Sequence, residues 1–184
     1  MRSMIRGVVV GFAVLLSAQA AQAQGMSFGI GGGVVVPTGT LGDAYGTGWS
    51  GSALLRVQPP ASPVGFQADV FYDRFSLDGG IDGHGQMIGG TANAVFAFPG
   101  ASLARPYLIG GAGVYNVKNT ITGFGSSSDT KFGLNAGAGF DFGLGKAKLY
   151  AEGRFHMIMK ALSDGTPTGE KSAYMIPLTV GVRF

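Results

Sequence analysis

From about residue 26 onward the chain alternates between apolar and polar or small side chains. In residues 174–184, Tyr174, Ile176, Leu178, Val180, Val182 and Phe184 share one side of an extended chain, because successive strand side chains point to opposite faces. Met175, Pro177, Thr179, Gly181 and Arg183 take the other side. The segment 130–143 repeats the pattern, with Phe132, Leu134, Ala136, Ala138, Phe140 and Phe142 opposite Lys131, Gly133, Asn135, Gly137, Gly139 and Asp141. In 148–159, Leu149, Ala151, Gly153, Phe155, Met157 and Met159 oppose Lys148, Tyr150, Glu152, Arg154, His156 and Ile158. No segment keeps a helical period, and each glycine would cost a helix about 1 kcal/mol. The alternation predicts eight strands near 26–36, 49–58, 64–74, 86–98, 106–119, 130–143, 148–159 and 173–184.

The connections between these strands alternate in length. Long polar ones occupy 37–48, 77–85, 121–129 and 160–172, and short ones 59–63, 99–105 and 144–147. In an up-and-down meander every long connection then falls on one side and every short turn on the other. That asymmetry belongs to outer-membrane barrels, whose periplasmic turns are short and extracellular loops long. The last strand needs a partner already built, most simply the first strand of a closed barrel near 26–36.

The face analysis sharpens the prediction. The apolar face of all eight strands reads as free of charge, and a basic side chain facing lipid at the midplane would cost about 2–4 kcal/mol. In the fifth strand this criterion sets Gly111 and Gly113 outward and Asn116 and Lys118 inward. Aromatics fall where headgroups would lie: Trp49, Tyr72, Tyr115, Phe132 and Tyr174 toward the long connections, and Phe28, Phe66, Phe98, Tyr107, Phe142 and Phe184 toward the short ones. Eight strands enclose a lumen that side chains can fill. The polar face therefore predicts a packed polar core holding Arg56, Gln67, Asp69, Asp73, Asn93, Lys131, Asn135, Asp141, Lys148, Glu152, Arg154 and His156, with inward glycines making room for long side chains.

Composition changes the picture in three places. Charged residues make up only 12% of the chain, about half the usual share, as suits an exterior that faces lipid. Cysteine is absent, which excludes disulfides, a thiol nucleophile and a Cys-ligated metal. Arg2 and Arg6, the apolar run 7–16 and Ala21-Gln22-Ala23 form a secretory leader pattern, predicted to span 1–23 with cleavage before Gln24 or, at the alternative site, before Ala21. Removing those two arginines from the 13 basic residues leaves 11 against 10 acidic ones, so the charge balance implies no nucleic-acid partner. The barrel domain is predicted to occupy 24–184.

Several stretches resemble a known family. They are Gly31-Gly32-Gly33-Val34-Val35-Val36-Pro37-Thr38-Gly39, Arg105-Pro106-Tyr107-Leu108-Ile109-Gly110-Gly111-Ala112-Gly113-Val114-Tyr115, Tyr150-Ala151-Glu152-Gly153-Arg154-Phe155 and the ending Val182-Arg183-Phe184. Together they resemble the small eight-stranded outer-membrane β-barrels of OmpA and OmpX type, the outer membrane protein β-barrel domain group. The resemblance implies placement in the bacterial outer membrane, contact with its lipid and lipopolysaccharide, and insertion by the barrel-assembly machinery. It also implies that Tyr174, Val180, Val182 and Phe184 carry the signal that this machinery reads.

Other motifs have ordinary readings. Gly46-Thr47-Gly48-Trp49-Ser50-Gly51 matches G-x-G-x-x-G, but the nucleotide motif needs a strand before it and a helix after it, and here a polar loop precedes a strand. His156 with Glu152, Arg154 and Asp141 could be drawn as an acid-base cluster; pairing of charges in a barrel interior explains it as well. Lipid A deacylase barrels place a His-x-Ser pair on the lipid face, whereas Met157 and Ile158 follow His156 and its face is the inward one. His84 beside Asp78 and Asp82 makes a poor metal site in a loop. No cofactor, metal or catalytic residue is expected. The function expected is a structural or surface-interaction barrel that binds an extracellular ligand through its loops. A narrow pore, a lipid A-modifying enzyme and a soluble lipocalin-like carrier with inverted polarity are the alternatives.

Overall fold

The computed structural model describes residues 25–39, 42, 45–76, 83–99, 103–121, 125–159, 162–163, 166–167 and 172–184. The leader expected over 1–23 lies outside them, as do Asp78 and Asp82. The strands are β1 (Met26–Thr38), β2 (Gly48–Val57), β3 (Val64–Ser76), β4 (Gly83–Ala97), β5 (Ala104–Ile121), β6 (Gly125–Leu144), β7 (Ala147–Ile158), a small pair β8 (Leu162–Ser163) and β9 (Thr166–Pro167), and β10 (Ala173–Arg183). Eight of them close a barrel in the order β1-β10-β7-β6-β5-β4-β3-β2, every pair antiparallel. Among the described residues, β8 and β9 pair only with each other.

Closure is made by the strand that the alternation left without a neighbour. β10 pairs with β1 from Gly29 opposite Arg183 to Thr38 opposite Tyr174. Phe28 and Phe184 continue the seam by exchanging both backbone hydrogen bonds, at 3.0 and 2.7 Å. A closed barrel leaves no edge strand, so backbone donors and acceptors along the wall pair with a neighbouring strand on either side without water.

Burial follows the pleat. β3 alternates with Val64, Phe66, Ala68 and Val70 exposed and Gly65, Gln67 and Asp69 buried. Phe132 is 71% exposed while its neighbours Gly133 and Asn135 are buried. Aromatics outside and polar groups inside is the polarity of a membrane barrel, and it overturns the lipocalin-like alternative.

Several expectations need correction. The face assignment of β5 is inverted: Tyr107, Ile109 and Tyr115 are buried inside, while Leu108, Ala112, Val114 and Lys118 are exposed outside. Tyr107 and Tyr115 therefore do not belong to an aromatic girdle, and Asn116 and Lys118 do not belong to the core. Gly111 and Gly113 point inward, where a β-carbon at Gly111 would collide with the Ala92 carbonyl oxygen. The outer face also carries charge at its loop end, at Arg74 and Lys118, where depth makes charge cheap.

The third long connection shrinks as well. β5 and β6 stay paired out to Ile121 opposite Gly125, so most of 121–129 is strand and only 122–124 joins the two. His84 likewise belongs to β4, opposite Ser76 and Thr120. The remaining connections keep their order, with 145–146 the shortest turn on the side opposite the loops.

Candidate functional site

The lumen has three levels, set by which inward residues each strand brings to the same height. At mid-height β7 supplies Glu152 and Arg154, β3 supplies Gln67 and Asp69, and β4 supplies Thr91 and Asn93, all buried. Arg154 donates from Nη2 to Asp69 Oδ1 at 3.0 Å and from Nη1 to Asp69 Oδ2 at 3.1 Å. Its Nε donates to Glu152 Oε1 at 2.6 Å. Asp69 also accepts from Asn93 Nδ2 at 2.7 Å, Gln67 Nε2 at 2.8 Å and Thr91 Oγ1 at 3.2 Å. A buried carboxylate needs this many donors, because desolvation alone would make its charge unaffordable.

β7 and β3 stand four places apart in an eight-membered ring, so the Arg154–Asp69 pair spans the diameter of the barrel. A second diametric tie lies nearer the short turns, where Arg56 of β2 donates from Nη1 to Asp141 Oδ2 of β6 at 3.3 Å. Arg183 Nη2 donates to the same oxygen at 2.6 Å. Gln67 links the two ties, accepting from Arg56 Nε at 2.6 Å and donating to Asp69. Tyr107 lies under the Arg56 guanidinium, 4.3 Å from ring centroid to Cζ, and donates its hydroxyl to Glu152 Oε2 at 2.8 Å.

Above this network, toward the loops, the lumen becomes apolar. Val35, Phe75, Met87, Tyr115, Ile158 and Met175 form one buried cluster, with Tyr45, Phe71, Val117 and Ala173 against it. Val95, Ala97, Tyr107 and Ile109 form a second cluster toward the turns. The inward face is thus not uniformly polar, as its sequence suggested. The bulky inward rings sit opposite glycines across the ladder: Phe71 faces Gly89, Tyr107 faces Gly139 and Tyr150 faces Gly181. A β-carbon at Gly89 would strike the Phe71 ring. The inward glycines make room chiefly for aromatic rings.

The residues expected in the lumen divide accordingly. Arg56, Gln67, Asp69, Asp141, Glu152 and Arg154 meet in the network. Asp73 is buried but stands apart from it, opposite Ser50 in the β2–β3 ladder. His156 is buried beside the Tyr115 hydroxyl, 2.9 Å from Nδ1, with the Phe71 ring edge-on to it. The acid-base grouping drawn from the sequence therefore separates: Glu152 pairs with Arg154, Asp141 pairs with Arg56 and Arg183, and His156 joins Tyr115. Lys131 lies near the loop end, 3.4 Å from Asp129, and Lys148 is exposed at the turn end; neither enters the core. Thr91 and Tyr107 are members that sequence reasoning missed, and Arg183 is one that it assigned to the inward or periplasmic polar set. Thr91 and Arg183 share parity with Asn93 and Gly181 on their own strands, whereas Tyr107 lies on the apolar face of β5, where no such signal existed.

Outside the barrel, Trp49 and Tyr72 pack ring to ring at 5.4 Å on the loop side, and Phe140 stacks on Phe142 on the turn side. On the outer face of β10, Tyr174 stacks on Phe155, and Val180 is exposed. The cavity beside Arg154 and Asp73 holds about 30 Å³, space for a water molecule or two.

The model of the outer membrane protein β-barrel domain matches residues 8–184. Among solved structures, the chain is similar to Neisserial surface protein A at 19% identity and a TM-score of 0.66, covering 86% of this chain and 96% of that one. It is similar to a major outer membrane protein from Thermus thermophilus at 14% identity and a TM-score of 0.54, covering 86% and 98%. The N-terminal β-barrel domain of Pseudomonas aeruginosa OprF aligns at 17% identity and a TM-score of 0.50, covering 88% and 98%. No curated protein matches the chain in sequence.

Proposed function

The chain belongs to the outer membrane protein β-barrel domain family, an integral protein of the bacterial outer membrane, and from that premise we propose that it is a closed barrel whose work is done at its surface. The observation that carries this reading is the filled lumen. Two arginine-carboxylate ties cross its diameter, and an apolar layer of Phe75, Met87, Tyr115, Ile158 and Met175 lies between them and the loops. A solute passing the wall would have to break a buried ion pair, and removing one partner of such a pair costs about 3–5 kcal/mol.

With the lumen occupied, the four loop-side connections are the part free to recognise an extracellular ligand, as loops on a rigid scaffold commonly do. Catalysis has little support, since His156 hydrogen-bonds Tyr115 inside the wall rather than facing lipid beside a hydroxyl. Residues 1–23 act as a cleaved leader, and Tyr174, Val180, Val182 and Phe184 on the outer face of β10 serve as the signal for barrel assembly. Planar-bilayer recording of the purified protein tests the reading: a flat baseline is expected, and a large stable conductance would replace it with the narrow-pore alternative. Lipid A mass spectra should be unchanged by overexpression, and N-terminal sequencing of the membrane form should begin at Gln24 or Ala21.

A further inference from the structure

The opposite mouth of the barrel, on the short-turn side, opens into a cavity of about 660 Å³. Arg56, Arg105, Lys146, Lys148 and Arg183 line it, and Asp141 is the one acidic side chain among its lining residues. Five of the eleven basic side chains in 24–184 therefore gather at one end of a chain that is nearly neutral. Lys148 lies within Coulombic reach of Arg183, Asp141, Arg105 and Arg56. Asp141 Oδ2 accepts from both Arg183 and Arg56, and its Oδ1 has no hydrogen-bond partner among the described residues.

The buried donors give an independent observation. Arg183 is 3% exposed and lines the cavity, yet among the described residues its Nε and Nη1 have no hydrogen-bond partner; Arg56 Nη2 has none either, with Glu152 Oε2 3.9 Å away as its ion-pair partner. Burying an N–H without an acceptor is costly, and a guanidinium presents its donors as a planar fork that fits a tetrahedral oxyanion. We propose that the turn-side mouth is a binding site for a phosphate group, held by Arg183 and Arg56 from within and by Lys148 and Arg105 at the rim. Several oxygens on one centre can meet the open donors of both guanidiniums, which a chloride ion cannot do. The outward rings of Phe28, Phe66 and Phe142 lie at the same end of the wall, at the depth aromatic belts occupy. The phosphate can therefore come from a lipid headgroup of the periplasmic leaflet or from a free periplasmic solute.

The test is calorimetric titration of the folded protein in maltoside micelles, which contain no phosphate, with inorganic phosphate and with pyrophosphate. Saturable binding is expected, with pyrophosphate the tighter ligand. Lys148→Gln combined with Arg105→Gln should weaken it roughly tenfold or more, the loss of two charge-assisted contacts. Both changes lie at the rim, and heat-modifiable migration on a gel checks that the barrel still forms. Arg74→Gln, on the outer face near the loops, should leave binding unchanged. Repeating the titration in phosphatidylglycerol nanodiscs separates the sources: loss of the signal there means that a lipid headgroup holds the site, and its persistence means a free phosphate. No saturable binding in maltoside, binding no stronger than that of chloride, or binding indifferent to the double substitution would overturn the proposal.

Discussion

Arg154 and Asp69 lie 85 residues apart in sequence and meet across the full width of the barrel in a two-point fork. Their strands touch different neighbours, so the pair fixes the distance between opposite walls rather than the register of adjacent ones. Arg154→Met would leave the Asp69 carboxyl buried among Gln67, Thr91 and Asn93 without its cationic partner. That change should destabilise the barrel by about 3–5 kcal/mol, while Arg154→Met with Asp69→Leu should recover most of the loss. Urea unfolding in lipid vesicles measures both. A single variant as stable as the parent would show that the fork adds nothing.

The match between Phe71 and Gly89 is steric. The Phe71 ring occupies the volume a side chain at Gly89 would take, and it is wedged against Tyr115 and His156, with centroids at 5.6 and 5.9 Å. Gly89→Val should therefore cost about 1–3 kcal/mol through overpacking, and Phe71→Ala in the same chain should restore part of it. Additive losses from the two changes would mean that ring and glycine do not compete for one space.

The number, order and closure of the barrel strands were legible in the sequence because each of those eight strands crosses lipid and so must alternate. Lumen membership was legible where one face held a charge, as at Gln67 and Asp69 or at Glu152 and Arg154. β5 misled because its inward face, Tyr107, Ile109, Gly111, Gly113 and Tyr115, is the more apolar one. Its two tyrosines bury rings and spend their hydroxyls on Glu152 and His156, while Lys118 is exposed at the loop end. Ser126, Ser127 and Ser128 misled for a related reason. Strand that projects beyond the bilayer has water on its outer side, so polar residues can continue the ladder to Gly125 without alternating. The diametric ties could not be read at all, since pairing across a ring depends on height and closure together.

Depth along the outer wall governs how much a charge costs. Val70 is 62% exposed on the outer face, with Ala53 and Gly90 as ladder partners, near the middle of the wall; Val64 lies at its turn end. Val70→Arg should cost about 2–4 kcal/mol and Val64→Arg about 0–1 kcal/mol when folding into bilayers is measured. In a soluble environment the two would be alike. Equal penalties in lipid would remove the claim that this face meets hydrocarbon.

Phe184 closes the seam through its two backbone hydrogen bonds with Phe28, and its ring lies partly exposed at the turn end. These two features predict different failures when it is altered. Phe184→Ala keeps the backbone pairing, so refolding in detergent should be nearly unchanged, whereas an assembly machinery that reads the aromatic ring should insert the variant several-fold less. Deleting the residue removes the hydrogen bonds as well and should impair refolding in both settings. Heat-modifiable migration of outer-membrane fractions, compared with refolding of the same chains in micelles, separates ring from backbone. Wild-type insertion of Phe184→Ala in cells would end the assembly-signal reading and leave the residue a purely structural role.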